Sequence, residues 1–124
     1  MNVLILIAHG SRLPAANDEV RRLADQLRDH LDRGFAAVSC AFLEIADPSI
    51  PAAIDAAISA GAARISLVPY FLTTGRHVAL DIPAIAEAKR REHPGVAITL
   101  QSYLGASPLI LEALAEIALT PVTA

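Results

Sequence analysis

The chain has 124 residues, a formal charge of −3 at pH 7, 54 % hydrophobic and 4 % aromatic residues, and a mean hydropathy of +0.47. That length suits a single domain over residues 1–124 with a sizeable core, while the acidic balance and scarce aromatics argue against nucleic acid, which asks for a basic face or stacking platforms. No apolar stretch approaches the roughly 20 residues that span a bilayer, and the first residues lack the basic start and cleavage site of a signal peptide, so a cytoplasmic location without a membrane partner is expected.

Short apolar runs alternate with segments of helical period, which predicts βαβ units around a parallel sheet. The first strand is expected over 3–8 and ends at His9-Gly10-Ser11-Arg12. Val20, Leu23, Ala24, Leu27 and Leu31 then recur at offsets of three and four, with charged residues between them, and predict the first helix. A second strand over 36–43 contains Cys40, which reads as a small core residue, since the only cysteine has no disulfide partner in the chain. Asp47 as cap and Pro48 in the first turn would open a second helix, with Ile50, Ala53, Ile54, Ala57 and Ile58 inward and Gly61 as its stop. The third strand is expected over 64–70, a third helix over 79–92 ending at His93-Pro94-Gly95, and a fourth strand over 96–103. A fourth helix should start near Ser107-Pro108 and carry Leu111, Leu114, Ile117 and Ala118 inward.

The expected fold is a small three-layer α/β/α domain on a four-stranded parallel sheet. Right-handed crossovers leave few topologies, and strand order 2-1-3-4 is the one expected. In it the chain reverses direction between strands 1 and 3, and open α/β sheets bind ligands beyond the carboxyl ends of the strands at such a reversal. Strand 1 ends at His9 and strand 3 leads to His77, so topology brings two imidazoles to one crevice.

Each of these residues also has a plainer role. His9 could be a turn histidine bonded to backbone, or a metal ligand or general base. Glu44, closing the second strand, is either the first solvated residue or a carboxylate on the rim that holds His9. Two imidazoles and a carboxylate suit a borderline divalent ion such as cobalt, nickel, iron or zinc. No spacing matches a structural zinc motif, so any metal is expected to be transient or catalytic, and no permanently bound cofactor is expected. The irregular stretch Thr73-Thr74-Gly75-Arg76 can supply backbone N–H groups and a wall to a ligand. Ser11 and Arg12 either bind substrate carboxylates or cap the first helix. His30 and His93 read as solvated surface.

Taken together, Ala8-His9-Gly10-Ser11-Arg12, Phe42-Leu43-Glu44-Ile45-Ala46-Asp47-Pro48-Ser49-Ile50 and Val68-Pro69-Tyr70-Phe71-Leu72, followed by Gly75-Arg76-His77-Val78 and Asp81-Ile82-Pro83, resemble the small CbiX-type sirohydrochlorin chelatases. The resemblance runs through essentially the whole chain. It implies a chelatase-like half-domain that inserts a divalent metal into the tetrapyrrole sirohydrochlorin, on routes to cobalamin, sirohaem or a nickel cofactor. Cobalt is the first expectation, with nickel and ferrous iron next. It further implies His9 as metal ligand and proton acceptor, His77 as second ligand, Glu44 at both substrate and metal, and Leu72, Thr73, Thr74, Gly75 and Arg76 as the substrate loop. Short members form homodimers where larger relatives carry two such domains. Two departures stand out: Ser107 occupies a region where members often carry a histidine, and Thr73-Thr74 replaces a more apolar or Pro/Gly-containing loop.

The chemistry is consistent with that expectation. A free-base tetrapyrrole loses two pyrrole N–H protons as metal enters, which calls for a base and for a metal held with open positions. Neutral imidazole can do both and still release the ion. Arg12 and Arg76 would orient the substrate's carboxylates, since the chain as a whole is slightly acidic. Exposed sheet edges, an apolar composition and a broad flat substrate favour a homodimer. The alternatives are a metal carrier using the same residues without catalysis, and a histidine phosphatase. The latter usually reads Arg-His-Gly, and here Ala8 stands in the arginine's place.

Overall fold

The computed structural model describes residues 1–31 and 33–122. The elements run β1 (Asn2–Ala8), α1 (Pro14–Leu31), β2 (Ala37–Phe42), α2 (Ile50–Ser59), β3 (Arg64–Pro69), α3 (Ile82–Glu92), β4 (Ala97–Leu100) and α4 (Leu109–Leu119). A wide π-helical turn, His77–Asp81, leads into α3, and a short 3-10 turn, Leu104–Ala106, precedes α4. All four strands are parallel in the expected order β2-β1-β3-β4.

Because β1 pairs on both edges and packs on both faces, its side chains divide by the period of two. Val3, Ile5 and Ile7 join Ile50, Ile54, Ile65, Leu67, Ile82 and Ala86 on the α2/α3 face. Leu4, Leu6 and Ala8 join Ala24, Val38, Cys40 and Phe42 on the α1 face. This follows from handedness: the step from β1 to β2 goes one way across the sheet and the later steps go the other way, so right-handed crossovers put α1 opposite α2 and α3. Cys40 is buried, and that burial pushes its thiol pKa up, as befits an inert core residue.

Four local expectations are corrected. The second helix is capped by Ser49, whose Oγ accepts from the Ala52 N–H at 3.2 Å, with Pro51 in its first turn. Asp47 and Pro48 lie before it, joined by a cis peptide bond, and the Pro48 carbonyl accepts from the Phe42 N–H, which keeps Pro48 out of the helix. The helical segment around α3 begins at His77, not at 79. Pro83 has no N–H for the carbonyl of Ala79 and its ring crowds that group, so the turn ahead of it widens.

The fourth strand stops at Leu100, short of the expected 103. Leu67 faces β4, since its carbonyl accepts from the Gln101 N–H, and Pro69, two residues on, points the same way without an N–H to offer. Finally, Leu111, Leu114, Ile117 and Ala118 do not point inward: no residue of α4 is buried, and Leu111 and Ile117 are each 71 % exposed.

Candidate active site

The β1–β2 ladder continues past both strands and thereby places the first two side chains. The Leu43 N–H donates to Ala8 O at 2.9 Å and the Glu44 N–H to His9 O at 3.1 Å. Glu44 and His9 therefore sit side by side, with His9 Nε2 3.2 Å from Glu44 Oε1. Gly10 makes this approach possible. Its φ is +97°, and a Cβ there would lie 1.9 Å from the Glu44 carbonyl oxygen. Beyond Glu44 the backbone closes a tight turn at Ile45, φ +73°, with the Ala46 N–H donating to Glu44 O at 2.8 Å. A β-branched residue in that region is strained, at a cost of roughly 1–3 kcal/mol. Arg21 ties this loop to α1 by donating to Asp47 O at 3.0 Å while its guanidinium lies over the Phe42 ring.

On the His9 side the loop is held by Asn17, buried in α1. Its Nδ2 donates to Ser11 O at 2.8 Å, and its Oδ1 accepts from the Ser11 N–H at 2.9 Å. Composition alone did not reveal Asn17, yet a signal existed. It lies three residues before Val20 and seven before Ala24, on the stripe that faces the sheet, where a polar residue needs a partner.

His77 arrives from the third strand through the π-helical turn. Its ring packs edge-on to that of His9, with centroids 5.0 Å apart and planes at 61°. Its Nδ1 lies 2.7 Å from Asp81 Oδ2, one helical turn on. Asp81 has no capping bond to α3, and among the described residues its carboxylate bonds to His77. The i, i+4 spacing is visible in the sequence, but it points to a contact only once His77 is helical, and the expected helix starts at 79.

Both imidazoles are thus bonded at Nδ1, His9 to the Gly10 carbonyl at 3.0 Å and His77 to Asp81. An Nδ1–H donated to an oxygen leaves Nε2 as a lone pair. For His9, the backbone-bonded and ligand readings therefore hold together, one on each ring nitrogen. His9 Nε2 faces the Glu44 carboxylate, so the two present a nitrogen and an oxygen donor to one point. A separation of 3.2 Å is one that a divalent ion bonded to each atom at about 2.1 Å bridges. His77 backed by Asp81 has the carboxylate–histidine form that orients metal ligands.

The donor atoms of His9, Glu44 and His77 are not drawn into one tight cluster. Among the described residues, the group of three whose donors all lie within 4.8 Å of one another is Asp55, Glu92 and His93. That group surrounds an ammonium: Lys89 Nζ donates to Asp55 at 2.9 Å and to Glu92 at 2.8 Å, and these bonds, Glu92 first, hold the Lys89 pKa up. A cation already fills that place, and His93 is part of it rather than free surface. His9 and Glu44 are closed on each other at 3.2 Å, with the His77 ring against that of His9.

The remaining candidates line the same loops. The Ser11 hydroxyl accepts from the Leu13 N–H at 3.0 Å, so it holds the loop as the plainer reading expects. Arg12, Leu72, Thr73, Thr74, Gly75 and Arg76 are exposed, and among the described residues neither Arg12 nor Arg76 forms an ion pair. Exposed Leu13, Ile45, Leu72 and Leu80 come from the three loops that carry His9, Glu44 and His77. These loops therefore carry, around the His9–Glu44 pair, exposed apolar side chains and two guanidinium groups that form no ion pair among the described residues.

A family model described as CbiX matches residues 3–119. The sirohydrochlorin cobaltochelatase of Methanocaldococcus jannaschii is 39 % identical over 85 residues, 68 % of this chain and 58 % of that protein. The sirohydrochlorin ferrochelatase of Priestia megaterium is 30 % identical over 116 residues, 94 % of this chain and 43 % of that protein. The chain spans about half the length of the curated relatives it matches. Among solved structures, a CbiX protein from Marinobacter aquaeolei VT8 superposes with a TM-score of 0.78 at 30 % identity, covering 95 % of this chain and 94 % of that one. The sirohydrochlorin chelatase SirB from Bacillus subtilis subspecies spizizenii, in complex with cobalt, superposes at 0.82 with 24 % identity over 48 % of its chain, a likeness of fold.

Proposed function

The chain belongs to the CbiX family, matched over residues 3–119, and on that premise we propose that it is a sirohydrochlorin chelatase that inserts a divalent metal, cobalt first and nickel or ferrous iron next. The observation that carries this reading is the His9–Glu44 pair, with the His77 ring against it, at the carboxyl ends of the strands. The relatives' names, sirohydrochlorin cobaltochelatase and ferrochelatase, support the substrate.

Insertion exchanges two pyrrole N–H protons for one dication, so the ring is left with the metal and two protons depart. His9 Nε2 accepts one proton from the ring, because its Nδ1 is committed to the Gly10 carbonyl, and the second leaves to the solvent that reaches this exposed side chain. Glu44 steadies the resulting imidazolium and attracts the arriving ion. His77, held by Asp81, is the second ligand that presents the metal to the ring. Arg12 and Arg76 take substrate carboxylates, and Leu72 to Arg76 form the wall against which the macrocycle lies. Ser11 contributes by holding the His9 loop. The metal is substrate, and no resident cofactor is needed.

We place the protein in the cytoplasm, as a single CbiX-type domain over 1–124 acting as a homodimer that encloses the tetrapyrrole. In support, no helix among the described residues is long and apolar enough to cross a membrane. The direct test is anaerobic incubation with sirohydrochlorin and cobalt, nickel or ferrous iron, followed by the change in absorbance as the metal enters. Metal binding without insertion would make it a carrier and overturn the chelatase reading.

Two variants probe the parts. Glu44→Gln keeps size and hydrogen bonding but removes a charge, and is expected to slow insertion about 10-fold with stability little changed, since Glu44 is exposed. An unchanged rate and pH profile would reduce it to a solvated strand end. Asp81→Ala frees His77 Nδ1 and is expected to weaken metal affinity about 10–100-fold, the usual effect of losing such a partner. Calorimetric titration with cobalt measures it, and an unaltered affinity would remove Asp81 from the site.

A further inference from the structure

Two complementary features are left apart in this chain. The helix α4, with sequence LILEALAEIAL, carries only Glu112 and Glu116 as polar residues. Four residues apart, these form one line along the helix, and the rest of its circumference is apolar. A helix apolar nearly all round belongs in an interior, yet no residue of α4 is buried and Ile110 alone in it is half-buried. On the α1 face of the sheet, meanwhile, lies an open apolar groove of about 690 Å³, lined by Leu6, Leu23, Leu27, Val68, Tyr103 and Leu104. It occupies the place that a helix following β4 and packing beside α1 would cover. No residue of α4 lines it.

The exit of α4 is set by backbone, not by its own packing. Gly105 donates its N–H to Phe71 O at 3.0 Å, and a Cβ on it would lie 1.7 Å from Leu72 O, so the turn is pressed against the loop leaving β3. Ser107 Oγ then accepts from the Leu109 N–H at 3.2 Å and starts the helix. The chain is thereby directed past its own groove.

We infer that α4 is exchanged between two copies of this chain, the α4 of each lying in the groove of the other. The inference rests on the homodimer proposed above and specifies its interface. Groove and helix occur once per chain, so a two-fold exchange fills both and leaves neither exposed. Docking in a groove covers only one stripe of so apolar a helix. Near a two-fold axis, the second α4 and the partner's surface can cover more, leaving the Glu112/Glu116 line in water. The length of the relatives agrees, since the SirB chain, of which this fold covers 48 %, is long enough for two such units. The turn that launches α4 is latched to Phe71 and Leu72, the start of the substrate loop, so the exchange also anchors one wall of the crevice.

The test uses the whole chain with Cys40→Ala, Leu27→Cys and Leu114→Cys, oxidised at micromolar concentration and resolved on a non-reducing gel, beside sedimentation of the unaltered protein. Leu23→Cys with Leu114→Cys provides a second pair should the first fail to fold. A covalent two-chain species that disappears on reduction is the expected result. A one-chain species with both thiols consumed means that α4 folds back on its own groove and overturns the exchange. A sedimenting dimer whose thiols stay free overturns the exchange and leaves the dimer standing, whereas a monomer overturns both.

Discussion

Replacing either His9 or His77 by alanine is expected to lower metal insertion by about 100-fold or more, the range in which a positioned base or ligand contributes. The two substitutions should fail differently. Without His9 the metal is still held by His77 and Glu44, but the ring protons have no acceptor at Nε2, so insertion falls while metal binding is partly retained. Without His77 the ion loses the ligand that Asp81 orients at 2.7 Å, and metal affinity falls with the rate. Neither change should unfold the domain, because the side chains are 44 % and 40 % exposed and belong to no core cluster. Insertion rates across metal concentration, with circular dichroism as the folding control, decide the matter. A near-wild-type rate in either variant would show that histidine to be misassigned.

The parts of the fold that could be read from the sequence are those governed by burial and handedness. The run Val3 to Ala8 is apolar at every position because β1 is paired on both edges and packed on both faces, and that run marks a central parallel strand. Once the strands are known, right-handed crossovers give the order, and the order brings His9, Glu44 and His77 to one end of the sheet. Features fixed by single backbone groups were not legible. The cap of α2 passed from Asp47 to Ser49 because the Pro48 carbonyl is taken by Phe42, a contact between residues that no local pattern relates. His77 lies in a helical turn because Pro83, six residues later, widens it. The left-handed backbone at Ile45 has no local signal at all, since isoleucine is among the residues least suited to it. For α4 the apolar pattern predicts an inward face and the structure leaves that helix exposed: periodicity says that a face favours burial, and it does not say what covers it.

The crevice depends on one glycine more than on any polar residue outside it, and Gly10→Ala is expected to be the most damaging single-methyl change in these loops. At φ +97° an alanine is strained by about 1–2 kcal/mol from backbone alone. Its Cβ would also lie 1.9 Å from Glu44 O and 3.0 Å from Glu44 C, which are backbone atoms that cannot rotate away. Relief requires the two loops to part, breaking the 3.1 Å bond from the Glu44 N–H to His9 O and opening the His9–Glu44 pair. Overpacking of this kind adds about 1–3 kcal/mol. The sum, about 2–5 kcal/mol, is expected to lower the midpoint of thermal unfolding by roughly 10 °C or more in a domain of this size. Insertion should fall with it, even at temperatures where the variant is folded, because Glu44 is carried away from His9. Gly75→Ala is the matched control: it lies in the substrate loop, is not among the positive-φ glycines, and its Cβ would meet nothing within 4 Å, so its unfolding midpoint should equal that of the unaltered chain. Thermal scans of the two variants test the argument together. A Gly10→Ala protein as stable and as active as the Gly75→Ala protein would mean that the two loops can separate freely, and that the close approach of His9 and Glu44 is not held by their backbones.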